Sequence, residues 1–261
     1  MTPVRTALVP LALLLAAACG GSSATPVAVD TPAAGPTKDP AVASLTVLAA
    51  SSLTKVFTAE GAAFEKAHPG AHVSFSFAGS QALVAQVTQG APADVLATAD
   101  TSSIALAAKD LSGEPRVFAR NRLAVITGPG NPRHVTTLAD LAKPGIKVVL
   151  AGPTVPVGKA AAKALTAAGV KLTPVSLEQD VKGVVTKVRL GEADAGIAYV
   201  TDVASAKGAV VGTALPAVSN SYPASVVGSS KAPDAAEAFI DFVLSPDGQA
   251  ILATAGFLPP E

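Results

Sequence analysis

Ser52, Ser80 and Tyr199 stand where an apolar run suited to a strand gives way to a helical pattern. Five short segments share that arrangement: Ala-Ala-Ser-Ser-Leu-Thr (Ala49 to Thr54), Ala-Gly-Ser-Gln-Ala-Leu (Ala78 to Leu83), Val-Pro-Val-Gly-Lys (Val155 to Lys159), Gln-Asp-Val-Lys (Gln179 to Lys182) and Ile-Ala-Tyr-Val-Thr-Asp (Ile197 to Asp202). A helix start leaves up to four backbone N–H groups unpaired and carries the positive end of the helix dipole. Several such starts converging on one point make an anion site that needs no lysine or arginine. Taken singly, Ser52 and Ser80 read as helix N-caps, where serine is favoured for local reasons. Taken together, both close a strand, and groups that can also donate stand there instead of Asp or Asn. Tyr199 is one of two tyrosines; it is either a core residue or an inward O–H reaching the same cleft.

Enzyme chemistry finds less support. There is no Gly-x-Ser-x-Gly elbow. His68, His72 and His134 fall at a helix end, on the polar side of a strand and in a Pro-rich loop, none with a partner at triad or metal spacing. Gly152 to Lys159 is one residue too long between its glycines for a phosphate loop, and Ala160 replaces the Ser or Thr that would hold magnesium. Glu60, Glu65, Glu178, Glu192 and Asp194 read as solvated helix faces.

The elements that must position the five segments follow from hydrophobic period. Leu45 to Ala50 is a buried-strand pattern, followed by a helix with Leu53, Val56, Phe57 and Phe64 on one face, ending near His68-Pro69-Gly70. Val73, Phe75 and Phe77 alternate with polar residues, as in a strand. A helix over about Gln81 to Gln89 stops at Gly90. Further strands are expected at Asp94 to Ala99, Leu123 to Ile126, Ile146 to Ala151 and Ala195 to Tyr199. Helices are expected at Gly158 to Ala168, Asp180 to Leu190, Pro233 to Leu244 and Pro246 to Ala255. This alternation predicts an α/β fold with mostly parallel sheets flanked by helices and a ligand at the carboxyl ends of the strands.

The 261 residues are 49% apolar and 15% charged, with nineteen basic and nineteen acidic side chains. The balance gives no electrostatic case for nucleic acid or an anionic membrane surface. The single cysteine, Cys19, excludes an internal disulfide and a multi-cysteine metal site. Arg5 and the apolar run Ala7 to Ala18 precede it; the run is too short to span a bilayer, which takes about 20 apolar residues, and suits a signal-peptide core. With Ala16 to Ala18 before Cys19 and Gly20 to Ser23 after it, the segment resembles a bacterial lipoprotein box, although leucine is more usual where Ala16 stands. Residues 1–18 are thus expected to be a lipoprotein signal peptide, Cys19 an acylation site anchoring the chain outside the cytoplasmic membrane, and residues 19–43 a flexible tether.

From Leu45 to the C-terminus the chain resembles the periplasmic molybdate-binding proteins of ABC transporters. The strings that carry the likeness are the first two segments above, Gly-Ala-Pro-Ala-Asp-Val (Gly90 to Val95), Ala-Gly-Pro-Thr-Val-Pro-Val-Gly-Lys (Ala151 to Lys159) and Lys-Val-Arg-Leu-Gly-Glu-Ala-Asp-Ala-Gly-Ile-Ala-Tyr-Val-Thr-Asp (Lys187 to Asp202). Phe239 to Gln249 is shared more widely among binding proteins. The resemblance implies a two-lobed type II periplasmic-binding fold, with lobe I from 44–124 and 208–261 and lobe II from 125–207. The chain crosses between lobes near Leu123 to Thr127 and Ala204 to Val211. It further implies an oxyanion held in the interlobe cleft by Ser52, Ser80, the backbone N–H groups of Val157 and Val181, and the Tyr199 hydroxyl. Ser51 departs from the alanine common before the first binding serine.

The implied protein is a monomeric, lipid-anchored receptor with no cofactor and no cation-ligating residues, delivering molybdate or tungstate to a membrane permease. These dianions have four acceptor oxygens and no proton, so a shell of donors alone suits them, whereas a phosphate site wants an acceptor as well. The alternatives are a receptor for sulfate, a phosphonate or ferric iron, and a secreted hydrolase using Ser52 or Ser80. Iron wants more than two tyrosines, and the hydrolase wants a nearby base.

Overall fold

The computed structural model describes residues 41, 43–206, 208 and 210–260. The expected signal peptide, Cys19 and nearly all of the tether lie outside the described residues.

Among the described residues, eight strands and eight α-helices follow in chain order. They are β1 (Ser44–Ala50), α1 (Thr54–Ala67), β2 (His72–Ala78), α2 (Ser80–Thr88), β3 (Val95–Ala97), α3 (Thr101–Ala105), β4 (Leu111–Thr127), β5 (Val148–Ala151), α4 (Pro156–Ala167), β6 (Ser176–Glu178), α5 (Val181–Arg189), β7 (Ala195–Tyr199), α6 (Val200–Ser205), β8 (Val211–Val227), α7 (Pro233–Leu244) and α8 (Pro246–Thr254). A 3-10 turn, Ser51–Leu53, joins β1 to α1. The strands form one sheet in the order β2-β1-β3-β8-β4-β7-β5-β6. The β2-β1-β3 end and the β7-β5-β6 end are each parallel, and the long antiparallel pair β4–β8 joins them.

Strand burial explains the sequence pattern. β5 and β7 are buried along their whole length and so read as unbroken apolar runs. Edge strand β2 alternates instead. Phe57 and Phe64 of α1 pack with Phe239 of α7 at ring-centroid distances of 6.0 and 5.4 Å, and Phe118 lies 5.3 Å from Phe57. These rings fill the core of the first half. The second half packs smaller residues: Ala160, Ala161, Ala164 and Leu165 of α4, and Val181, Val184 and Val188 of α5. Pro156, Pro233 and Pro246 each open a helix, where the missing N–H is no loss.

The expected strand at Leu123 to Ile126 is the end of a strand of 17 residues, and β8, equally long, was not anticipated. Both carry polar and Pro-containing stretches, Gly113 to Pro115 and Ser219 to Pro223, that break any apolar alternation. They pair with each other through three register shifts, so the ladder rather than a hydrophobic pattern holds them. β8 pairs with β3 through Ala224 to Val226, and β4 pairs with β7 through Leu123 to Thr127. Between those stretches, Ala119 to Arg122 faces Ser219 to Tyr222, and the strand pair passes from one half to the other. Of the expected second crossing, Ala204 to Val211, residues 207 and 209 lie outside the described residues.

Candidate functional site

All five segments are strand-to-helix junctions; β1 and β2 run opposite to β5, β6 and β7 across the antiparallel β8–β4 pair, so the carboxyl ends of the two parallel groups face each other. β1 runs into the 3-10 turn at Ser51, β2 into α2 at Ser80, β5 into α4 at Pro156, β6 into α5 at Val181 and β7 into α6 at Val200. Parallel strands in each half point their carboxyl ends the same way, which is why junctions far apart in sequence meet.

They meet at a small cavity of about 10 Å³ lined by Ser51, Ser52, Gly79, Ser80, Ala99, Pro156, Val157, Asp180, Val181 and Tyr199, among others. That is about the room of one bound water by the same measure, so the space suits a compact group and not a sugar or a peptide. Every residue expected at the site lines it. Val157 is the second residue of α4 and Val181 the first of α5, positions whose N–H groups have no intrahelical acceptor. Ser52 sits in the short turn that begins at Ser51, where N–H groups are again unpaired.

The two serines are not the N-caps expected from the sequence. Gly79 holds that place for α2, with Ser80 as the first helical residue, and Ala50 precedes the turn that contains Ser52. Neither serine side chain caps its own helix. Ser80 Oγ instead accepts the N–H of Ala99 at 3.0 Å, and Ser52 Oγ lies 3.2 Å from the Tyr222 hydroxyl. Both side chains are thereby turned away from local backbone and toward the cavity and its supports. Side-chain caps are made elsewhere: Asp100 accepts from Ser103 N, Asp180 from Gly183 N and Ser245 from Gly248 N.

Tyr199 is 1% exposed, and its hydroxyl accepts from Asn220 Nδ2 at 2.8 Å. Burial, and then the neighbouring Tyr222 and Asp202, raise its pKa well above the usual phenol value, so the O–H stays a donor at physiological pH. Burial raises Tyr222 likewise. Asp202, also buried, is pushed up by desolvation and held back by Lys182, whose Nζ lies 2.9 Å away; it also accepts the N–H of Tyr199 at 3.2 Å.

No lysine or arginine lines the cavity. The nearby Lys159 and Lys182 are each engaged by a carboxylate, Asp100 and Asp202. Among the described residues no group of three or more His, Cys, Asp or Glu is placed to hold a metal ion. His68 ends α1, His72 is exposed beside Glu65, and His134 lies in a loop, so none is among the cavity residues. Glu60 is not the solvated residue expected: it is fully buried, with neither carboxyl oxygen hydrogen-bonded. It falls between Phe57 and Phe64 on the inner face of α1, where the apolar period wins over the residue's own polarity. Asp194 and Glu65 also serve backbone, accepting from Lys147 N and Val73 N.

Sequence reasoning missed Tyr222, Asn121, Asn220 and Ala99. The first three lie on the polar middle stretches of β4 and β8, whose strand character was not legible. The one signal present was the polar cluster Ser219-Asn220-Ser221 directly before the second tyrosine.

A protein family described as bacterial extracellular solute-binding protein matches residues 45–258. The molybdate-binding protein ModA of Mycobacterium tuberculosis is 40% identical over 248 residues, covering 93% of this chain and 92% of that protein. Among solved structures, the Azotobacter vinelandii periplasmic molybdate-binding protein superposes with a TM-score of 0.71 at 22% identity, covering 83% of this chain and 100% of that one. The Mycobacterium tuberculosis sulfate-binding protein SubI superposes at 0.74, also at 22% identity, covering 84% and 87%. These likenesses establish the type II periplasmic-binding fold.

Proposed function

The chain belongs to the bacterial extracellular solute-binding protein family, and from that premise we propose that it captures molybdate, and tungstate with it, outside the cytoplasm and hands it to the permease of an ABC importer. The observation that carries this reading is the chemistry of the cavity. Five separate junctions contribute hydroxyls and unpaired backbone N–H groups, and no cationic side chain. Ser52, Ser80, Val157 N–H, Val181 N–H and Tyr199 are the residues read as binding the oxyanion. A dianion with four acceptor oxygens satisfies such donors, and charge-assisted bonds are about twice as strong as neutral ones.

The lobes are read as the two halves of the sheet, closing about the β4–β8 segment at Ala119 to Arg122 and Ser219 to Tyr222. Closure removes water from the cavity and forms the surface that a permease recognises. Residues 1–18 act as a signal peptide, Cys19 carries the lipid anchor, and the chain works as a monomer.

Calorimetric titration of the purified protein with molybdate, tungstate, sulfate and phosphate tests the reading. One-to-one binding of the first two with the others silent is the expected result. Sulfate binding of equal strength would keep the oxyanion site and replace its ligand; silence from all four would end the reading.

A further inference from the structure

We propose that Gln81 is the latch of the cleft: its side-chain amide bonds the Gln179 carbonyl across the closed halves and sets how fast a bound oxyanion leaves. This rests on the oxyanion and closure readings above and adds the residue that governs the ligand's residence.

β2 and β6 are the outermost strands at the two ends of the sheet. Gln81 is the second residue of α2, just after β2, and Gln179 comes directly after β6. These two junctions belong to opposite halves and stand farther along the sheet from the β8–β4 pair than any other junction at the cavity. Gln81 Nε2 nevertheless lies 2.8 Å from the Gln179 carbonyl oxygen. When the halves turn about the β4–β8 pair, this bond has the longest arm. It is therefore the first to break on opening and resists opening most for its strength.

The bond can run in one direction only. A backbone carbonyl accepts and cannot donate, so the amide nitrogen must face it. The acceptor is fixed from both sides. The preceding carbonyl, of Glu178, takes the N–H of Gly152 at 2.9 Å, and the following residue, Asp180, takes that of Gly183 at 2.9 Å. The donor, by contrast, is free to leave. Among the described residues the Gln81 side chain makes no other hydrogen bond, and its Oε1 is buried without a partner. Nothing in its own half holds the amide, as it would for a side chain with a local structural task.

Gly79 makes room for the contact. The place of a β-carbon there is 2.5 Å from the Gln179 carbonyl and 2.6 and 2.7 Å from Nε2 and Oε1 of Gln81. The amide thus lies directly over Gly79, which lines the cavity, while Gln81 is not among the lining residues. It backs the closed wall and leaves the ligand untouched. Being neutral, it can also be removed without altering the charge around the ligand. A ligand enters while the halves are apart and the latch is unmade, and it leaves only after the latch breaks. Loss of the latch therefore quickens release and leaves entry alone.

Stopped-flow binding and release of molybdate by the purified protein test this in Gln81→Met, which keeps the side chain's length and removes the donor. Release is expected to quicken about three- to tenfold, the worth of one neutral hydrogen bond. The association rate and the melting temperature of the ligand-free protein are expected to stay unchanged. Gln81→Leu, apolar but different in shape, is expected to quicken release by a similar factor. If molybdate still binds and its release rate is unchanged, the latch is overturned. A rise in only one of the two variants points to side-chain shape and overturns it as well. So does a lower melting temperature of the free protein, which would mark a residue that merely supports α2. If the unaltered protein binds none of molybdate, tungstate, sulfate and phosphate, the oxyanion reading fails and the latch with it, an outcome distinct from an unchanged release rate.

Discussion

Lys159 of α4 reaches across the cleft to Asp100, the residue capping α3, with Nζ 2.9 Å from Oδ2. The same ammonium donates to Ser102 Oγ at 2.9 Å and Ser103 Oγ at 3.1 Å. This contact joins the two halves of the sheet without lining the cavity, so under the proposed closure it would act on the closed population rather than on the ligand. A partly exposed pair of this kind is worth about 0–1 kcal/mol. Lys159→Met is therefore expected to weaken oxyanion affinity about two- to fivefold, chiefly by faster dissociation, with thermal stability unchanged. Stopped-flow release of molybdate reads this directly; an unchanged release rate would remove the latch.

A stronger barrier to closure can be built at Gly79. A β-carbon there would stand 2.5 Å from the Gln179 carbonyl of the opposite half, a backbone atom that cannot swing aside. Gly79 has φ −63, which alanine adopts freely, so the residue is required by the approach and not by the turn. Gly79→Ala should fold normally and bind at least about tenfold more weakly, because the halves are held apart. Small-angle scattering of the variant with molybdate should retain the dimensions of the free form.

The three cavity hydroxyls are expected to separate into affinity and stability effects. Loss of one charge-assisted hydrogen bond costs about 1.5–3 kcal/mol, or about ten- to a hundredfold in affinity. Ser80→Ala should lower both affinity and melting temperature, since it leaves the buried Ala99 N–H without its acceptor. Tyr199→Phe should lower affinity alone, because Asn220 Nδ2 keeps the Ala99 carbonyl. Parallel calorimetry and thermal denaturation would distinguish the two patterns.

What was legible in the sequence divides along the same physical line. Strands buried on both faces and helices with one apolar face announce themselves, which is why β1, β5, β7 and α1, α4, α5 stood where expected. The junctions between them carried the candidate donors. The long strands β4 and β8 did not, since a ladder between two polar stretches leaves no hydrophobic period. The supports of the donors were hidden for that reason: Asn121 and Tyr222 gain their meaning from residues about 80 and 170 positions away in sequence. Residue polarity misled in one place against the helical period, where an acidic residue on the inner face of α1 was read as solvated.

That residue, Glu60, makes the fold sensitive to alkali. It is fully buried without a hydrogen-bond partner, and desolvation raises its pKa from 4.5 to about 8. The folded state then binds more protons than the unfolded chain between about pH 4.5 and about 8, so stability falls as pH rises through that window and levels off above it. Glu60→Met, similar in length and apolar, removes the group that titrates. The variant should melt higher than the natural protein at alkaline pH by several degrees, as about 1–3 kcal/mol of unmet desolvation implies for a chain of this size. The gap should narrow steadily on acidification and become small below about pH 4, where the carboxyl is neutral in both states. A gap independent of pH would mean that Glu60 acts through packing alone.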